Sequence, residues 1–232
     1  MSRATRALYR LCLRQALELE KQGLQLEFRR PMDKQGLEQG TFSPSEVRDL
    51  VRHHFRSPAP AESEAEYIDR AITSFRVLSE QVYLMQCSSS CRTEGVVVEV
   101  TSAFMGRESE LDPMYEEPED AEDEKHLFTY RVRISNVGDK TVQVQARHWV
   151  ITDAKGKVQE LPKWAPAIVG ARPTLEPGNC FEYYSRTDVD TREGTMRGAF
   201  QLAELNLEAG KKGPCRLFEV EVAPFKLKPP GS

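Results

Sequence analysis

The residues with the most chemical promise fall in two places, and both point to recognition rather than turnover. Near the start, Arg3, Arg6, Arg10 and Arg14 precede the first acid, Glu18. Guanidinium groups in such a run make charge-assisted, often bidentate contacts to carboxylates and phosphates. Further on, Arg147-His148-Trp149 sits in a stretch of strand-like alternation, with Arg197 beyond it. His148 is imaginable as a general base, yet no Ser or Cys nucleophile is identifiable near it, so a packed, hydrogen-bonded imidazole is the default. Arg147, His148, Trp149 and Arg197 read instead as a binding surface, and no catalytic residue is expected. Metal binding is not expected either. His53 and His54 point in different directions from one helix, and Cys87 and Cys91 are separated by three serines with no third ligand nearby.

The elements that must carry the first group are helices. From Ser2 to about Gln22 there is no Pro or Gly. At about 100° per residue, Leu8, Cys12, Ala16 and Leu19 share one face, Tyr9 and Leu13 flank it, and the arginines lie opposite. Gly23 to Phe42, with Pro31, Gly36 and Gly40, reads as an irregular connection. Ser43-Pro44-Ser45-Glu46 is a capping box with proline at the first helical position, and Val47, Leu50, Val51, His54 and Phe55 follow as a stripe. Ser57-Pro58-Ala59-Pro60 ends that helix. A third helix runs from about Ser63 to Met85, with Ile68, Ala71, Ile72, Phe75, Leu78 and Val82 at helical spacing. Three such helices can cover one another's apolar faces, which predicts an antiparallel three-helix bundle.

After Gly95 the period changes from helix to strand. Val96, Val98 and Val100, then Phe128, Tyr130, Val132 and Ile134, then Val142, Val144 and Ala146 alternate with polar neighbours. Turn signals stand at Asn136-Val137-Gly138-Asp139, Asp153-Ala154-Lys155-Gly156 and Glu176-Pro177-Gly178-Asn179, and a last alternating stretch spans Arg216 to Val222. Short strands at this spacing predict an antiparallel all-β sandwich. The expected fold class is therefore α + β in separate domains: helices over residues 1–87, a linker at 88–94, a sandwich over 95–228 and a tail at 229–232. The sandwich carries an acidic loop over 107–125, read as a solvated insertion or, alternatively, a contact for a basic partner.

The totals fit this division. A chain of 232 residues accommodates two domains. No stretch reaches the roughly 18 to 20 apolar residues of a membrane span, and no signal-peptide core follows the start, so a soluble location inside the cell is expected. Five scattered cysteines, an odd number, read as reduced thiols. The Arg-rich, acid-free start is similar to a mitochondrial targeting segment; the alternative is the basic face of a folded helix. With a net charge of −4 and no recognised nucleic-acid motif, nucleic acid ranks low among partners.

Two family resemblances sharpen these expectations. Ala7-Leu8-Tyr9-Arg10, Leu13-Arg14, Val47-Arg48 and His54-Phe55-Arg56 make residues 1–85 resemble the LYR (complex I LYR-like) family. That resemblance implies a mitochondrial acyl carrier protein as partner, its acyl-phosphopantetheine arm entering the space among the helices. Arg6, Leu8, Tyr9, Arg10, Leu13, Arg14, Phe55 and Arg56 would form the contact, with Phe75 also facing the acyl slot. The long connection between the first two helices departs from the pattern.

Arg147-His148-Trp149, Ile151, Asp153, Gly156, Val169-Gly170, Pro173, Leu175-Glu176-Pro177-Gly178, Phe181, Tyr183, Ser185 and Gly194-Thr195-Met196-Arg197-Gly198 resemble the ApaG domain, from about Gly95 to Leu227. This implies an immunoglobulin or fibronectin-like sandwich serving as an interaction domain. The family's glycine-rich loop has suggested phosphate or nucleotide binding. Here Trp164 to Gly170 keeps only the last glycine, which leaves the backbone fewer ways to approach a phosphate.

Together these resemblances imply an adaptor of the mitochondrial matrix that assembles or stabilises respiratory, mitoribosomal or iron–sulfur machinery. It would need no cofactor of its own beyond the partner's acyl-phosphopantetheine. The competing expectation is a ligand-binding or enzymatic ApaG domain anchored by the helices.

Overall fold

Nineteen residues without a helix breaker, Arg3–Lys21, form α1. Ser2 caps it, its Oγ accepting from the Thr5 amide at 3.2 Å. In the computed structural model the described residues are 2–21, 28–29, 41–56, 63–111, 124–166, 171–206 and 213–231. They divide into two units, Met1–Gln86 and Cys87–Ser232.

In the first unit the expected irregular connection contains a small antiparallel pair, β1 (Phe28–Arg29) with β2 (Thr41–Phe42); the rest of it lies outside the described residues. α2 (Pro44–Arg56) begins at the predicted capping box. Glu46 accepts from the Ser43 amide at 2.7 Å, and Ser43 Oγ accepts from the Glu46 amide at 3.4 Å. α3 (Glu64–Gln86) opens on a second box, in which Ser63 and Glu66 exchange the same bonds at 2.9 and 3.3 Å. Both capping carboxyls are held below the usual range, Glu46 chiefly by the Ser43 amide and Glu66 chiefly by the Ser63 hydroxyl. The Ser57–Pro60 stop signal lies outside the described residues.

One apolar cluster unites the three helices. Cys12, Ala16 and Leu19 of α1, Val47, Val51 and Phe55 of α2, and Ala71, Val82 and Met85 of α3 are buried, with Leu8, Tyr9, Tyr67, Phe75 and Leu78 packed against them. Each fully buried large side chain contributes about 1.5–3 kcal/mol. Arg48 holds Glu20 with both carboxylate oxygens at 2.9 and 2.6 Å, tying α2 to α1. His54, expected in the apolar stripe, is exposed.

Burial also sets thiol chemistry. Cys12 is enclosed against the Ala71 carbonyl, and desolvation pushes its thiol up to about 11. Burial raises the Cys87 thiol too, whereas Cys180 is exposed. Because the thiolate is the nucleophile, iodoacetamide should alkylate Cys180 before Cys87 in the folded chain and reach Cys12 only on unfolding. Peptide mapping of a labelling time course reads that order; early Cys12 labelling would contradict it.

The second unit is an antiparallel sandwich. One sheet runs β3 (Ser88–Thr93), β4 (Val96–Arg107), β5 (His126–Asn136) and β9 (Cys180–Val189) in that spatial order. The other runs β11 (Gly213–Leu227), β10 (Gly194–Asn206), β6 (Val142–Asp153) and β7 (Val158–Pro166), with β8 (Thr174–Leu175) also on β6. Of the inward positions picked out by alternation, Val96, Val98, Val100, Phe128, Tyr130, Val132, Ile134, Val142 and Val144 are buried in the shared core, whereas Ala146, opposite Gln201, is buried outside that cluster.

Residues 88–94 are a correction to the expected linker: they form β3 and enter a tight hairpin to β4. The serines that read as a break are satisfied inside the sheet, Ser88 bonding Thr101 at 2.8 Å and Ser89 donating to the Ala223 carbonyl at 2.8 Å. The turn residues Glu94 and Gly95 have φ of 47° and 80°, the left-handed pair that a two-residue hairpin requires.

The stretch expected as an acidic loop, 107–125, begins with a helical turn, α4 (Glu108–Leu111). Arg107 joins Glu110 at 2.8 Å and Glu124 at 3.2 Å, pinning the two ends of the insertion. Residues 112–123 lie outside the described set.

Candidate functional site

On α1 the predicted contact residues separate by depth. Leu8, Tyr9 and Leu13 are half-buried, while Arg6, Arg10 and Arg14 are exposed, as is Arg56 on α2. Tyr9 meets the buried Phe55 with ring centroids 5.3 Å apart, and Phe55 meets Tyr67 edge-on at 5.8 Å. The Tyr67 hydroxyl donates to the Phe55 carbonyl at 3.4 Å. The structure thus joins Leu8, Tyr9 and Phe55 in one cluster and turns the arginines to solvent. Arg3, Arg10 and Arg14 make no ion pair with another described residue. Tyr67 was not anticipated; its signal was its place on the same α3 face as Ala71 and Leu78, one turn into the helix.

In the sandwich, strand alternation divides the surface expected at Arg147, His148, Trp149 and Arg197, and this is a second correction. Trp149 is 2% exposed and belongs to the core. Its ring lies 5.8 Å from Tyr130, 5.7 Å from Phe200 and 6.2 Å from Phe225. Arg147 is opposite Phe200 in register and therefore shares that inward side. Burial first, then the neighbouring Tyr130, drives the Tyr183 hydroxyl far above the ordinary tyrosine range, against the opposing effect of the Arg147 guanidinium. Within this buried group, Arg147 Nε, Trp149 Nε1 and Tyr183 Oη have no acceptor for their protons.

Only His148 and Arg197 of the four face outward. His148 Nε2 lies 2.9 Å from Glu160 Oε1, which holds the ring in place. Nearby, Lys163 reaches Glu219 at 2.9 Å, and Gln201 donates to the same carboxylate at 3.1 Å. Lys163 keeps the Glu219 carboxyl below its usual range. This outer face is a set of polar pairs with no nucleophile in it, and among them Gln201 Oε1 has no hydrogen-bond partner.

A cavity of about 180 Å³ opens at one end of the sandwich, between Glu94, Asn136, Asp139, Lys140, Glu204 and Arg216. Its main cation, Arg216, is already engaged by both oxygens of Glu94 at 2.7 and 2.8 Å. Among the described residues, no group of His, Cys, Asp and Glu could hold a metal ion, and no helix is long and apolar enough to cross a membrane. Of the loop expected to matter for phosphate, residues 167–170 lie outside the described set; Trp164 before it is 55% exposed in a left-handed conformation, φ 67°.

Helices followed by two facing antiparallel sheets define the class of this chain: an α-helical segment joined to a β-sandwich domain. Residues 116–204 match the ApaG domain family. Protein ApaG of Rhodopseudomonas palustris is 40% identical over 121 residues, covering 52% of this chain and 85% of its own length. Protein ApaG of Anaeromyxobacter dehalogenans is 36% identical over 144 residues, 62% of this chain and 98% of its own. An X-ray structure of a structural genomics target is 30% identical, covers 61% of this chain and 92% of that one, and superposes with a TM-score of 0.47. The chain belongs to the ApaG family.

Proposed function

We propose that this ApaG-family chain is an adaptor of the mitochondrial matrix rather than an enzyme. In this reading the three helices form a bundle that docks an acyl carrier protein, and the sandwich holds a second protein. The observation that carries it is the arrangement on α1. Exposed Arg6, Arg10 and Arg14 lie beside half-buried Leu8, Tyr9 and Leu13, with Phe55 beneath. Arg10 and Arg14, exposed and with no acid partner among the described residues, are available to the carboxylates and prosthetic phosphate of an acidic carrier, and the apolar edge suits the acyl chain on its phosphopantetheine arm. Respiratory, mitoribosomal or iron–sulfur assemblies are the settings in which such an adaptor would work.

The test is affinity purification from mitochondria with mass spectrometry, comparing the native chain with an Arg10→Glu, Arg14→Glu double variant. The native chain should bring down acyl carrier protein, and the variant should lose it while keeping its helical circular dichroism. A native chain that retrieves no carrier, or a folded variant that retains it fully, would overturn the reading.

A second reading has its own observation. The buried donors Arg147 Nε, Trp149 Nε1 and Tyr183 Oη lack an acceptor, and leaving such groups unpaired costs about 1–3 kcal/mol each. A ligand oxygen would relieve that cost, which favours a ligand-binding ApaG domain. Phosphate added to the full chain at constant ionic strength should then raise its Tm saturably, and less in Tyr183→Phe; an unchanged Tm removes this reading.

A further inference from the structure

The two margins of the sandwich differ. At one, β3 is closed onto β11 by side chains: Ser89 Oγ donates to the Ala223 carbonyl at 2.8 Å, and Thr93 Oγ1 accepts from the Glu221 amide at 3.3 Å. At the other, β9 pairs with β5 on one side and with no strand among the described residues on the other. Sheet edges are ordinarily blunted by proline, bulges, short length or charged side chains. β7, the margin of the facing sheet, uses Pro162 and the left-handed Trp164. β9 has charge alone, in Glu182, Arg186 and Asp188, and of both signs, so it repels a strand only when like charges are set opposite one another. Its ten residues contain no proline and run without a bulge from Ser135↔Cys180 to His126↔Val189.

The phase of that edge is fixed. The Asn136 amide donates to the Asn179 carbonyl at 2.9 Å, and the same register continues into the strand. Residues 179, 181, 183, 185 and 187 therefore turn their backbone groups toward β5. Cys180, Glu182, Tyr184, Arg186 and Asp188 turn theirs to the open edge, and their side chains share the outer face of the sheet. On that face Cys180, Glu182, Tyr184 and Arg186 are exposed, Tyr184 by 64%.

The order of the side chains chooses the occupant. Read antiparallel against itself about Tyr184, the strand places Glu182 of one copy opposite Arg186 of the other, Arg186 opposite Glu182, and Tyr184 opposite Tyr184. Opposite charges and aromatic pairs are the favourable cross-strand combinations. A uniformly acidic or basic foreign strand would instead meet at least one like charge. The phase agrees as well, since a two-fold axis at Tyr184 pairs only residues whose N–H and C=O groups already face outward. Among the described residues Glu182 bonds its neighbour Tyr184 at 3.3 Å and pairs with Arg131 at 3.8 Å, both at the surface, and these weak contacts let it turn toward an opposing arginine.

We propose that two copies of this chain pair antiparallel through β9, centred on Tyr184, making one continuous sheet of the two four-stranded sheets. The proposal goes beyond the adaptor reading and does not depend on it, because carrier binding is assigned to α1.

Sedimentation equilibrium of the full chain at low salt tests it. The native chain should dimerise reversibly. Glu182→Arg alone and Arg186→Glu alone each set like charges opposite one another twice, and each should weaken the dimer by about tenfold or more. Mixing these two variants restores complementarity in a heterodimer, and the Glu182→Arg, Arg186→Glu double variant restores it in a homodimer; both should recover native affinity. That rescue separates a broken interface from a broken fold. Tyr184→Cys should cross-link under mild oxidation, because a hydrogen-bonded antiparallel pair spaces its Cα atoms at about 5.5 Å, within disulfide reach. A native monomer, a dimer indifferent to both single reversals, or single variants that mixing does not rescue would each overturn the proposal. So would a native monomer whose β9 accepts an added peptide strand instead.

Discussion

Gly198→Ala should unfold the sandwich or leave it barely folded at room temperature. A Cβ at Gly198 would stand 2.0 Å from the His148 carbonyl oxygen, 3.0 Å from its carbon and 2.8 Å from Trp149 Cε3. The obstacle is backbone of β6, held to β10 in register from Gly194↔Asp153 to Glu204↔Val142, together with the edge of a buried indole. Neither can swing away as the tip of a flexible side chain could. Overpacking in a compliant core costs about 1–3 kcal/mol, and a clash with fixed backbone belongs at or above the top of that range. Against a typical domain stability of about 5–15 kcal/mol, such a loss is a large fraction of the total. Urea titration followed by tryptophan fluorescence reads it directly. Gly178→Ala is the control, since its φ of 84° is strained for alanine but nothing lies within 4 Å of its Cβ. It should cost only about 1 kcal/mol. Equal midpoints for the two variants would show that the Gly198 contact does not constrain the sheet.

That glycine shows what was legible in the sequence and what was not. Gly198 stood in the Gly194-Thr195-Met196-Arg197-Gly198 run that resembles the ApaG family, yet nothing local announced that its partner is the backbone at His148, fifty residues earlier. Periodicity is a local property, and it placed the three helices, the capping box at Ser43 and the inward residues of β4, β5 and β6. Register across strands is not local. The stretch at 88–94 read as a linker because serine is a common turn residue, whereas here its hydroxyls find hydrogen-bond partners on β4 and β11, remote in sequence. In the same way Ser63-Glu66 formed a capping box as complete as Ser43-Glu46 but without a proline to mark it.

The binding surface assigned to Arg147, His148, Trp149 and Arg197 failed for a related reason. Adjacent residues of a strand point to opposite faces, so a contiguous triplet cannot be one surface. Around Arg147 to Trp149 the pairing with β7 is also irregular, with Arg147 opposite Ala165 and Trp149 opposite Leu161. Such a bulge re-aims side chains locally, and its position is set by the partner strand rather than by the triplet's own residues.

Trp149→Ala and His148→Ala should therefore behave as opposites although the residues are neighbours. Trp149 fills the middle of the core, contacting the rings of Tyr130 on one sheet and Phe200 and Phe225 on the other. Its truncation removes the link between the sheets and leaves a cavity, for a loss of about 3–5 kcal/mol. His148 sits on the outer face with its side chain 15% exposed, paired there with Glu160, whose side chain is 57% exposed. A pair open to solvent on one side contributes about 0–1 kcal/mol, and the packing lost with the imidazole is less than that lost with a core indole. Thermal unfolding monitored by circular dichroism should separate the two by about ten degrees, with Arg197→Ala behaving like His148→Ala. If instead Trp149→Ala unfolded like the native chain, the tryptophan could not be what joins the sheets. If His148→Ala were the more damaging of the two, the division of these residues between core and outer face would have to be reversed. With the expected ordering, His148→Ala and Arg197→Ala become clean probes of what the outer face binds, because any partner they lose is lost from a folded domain.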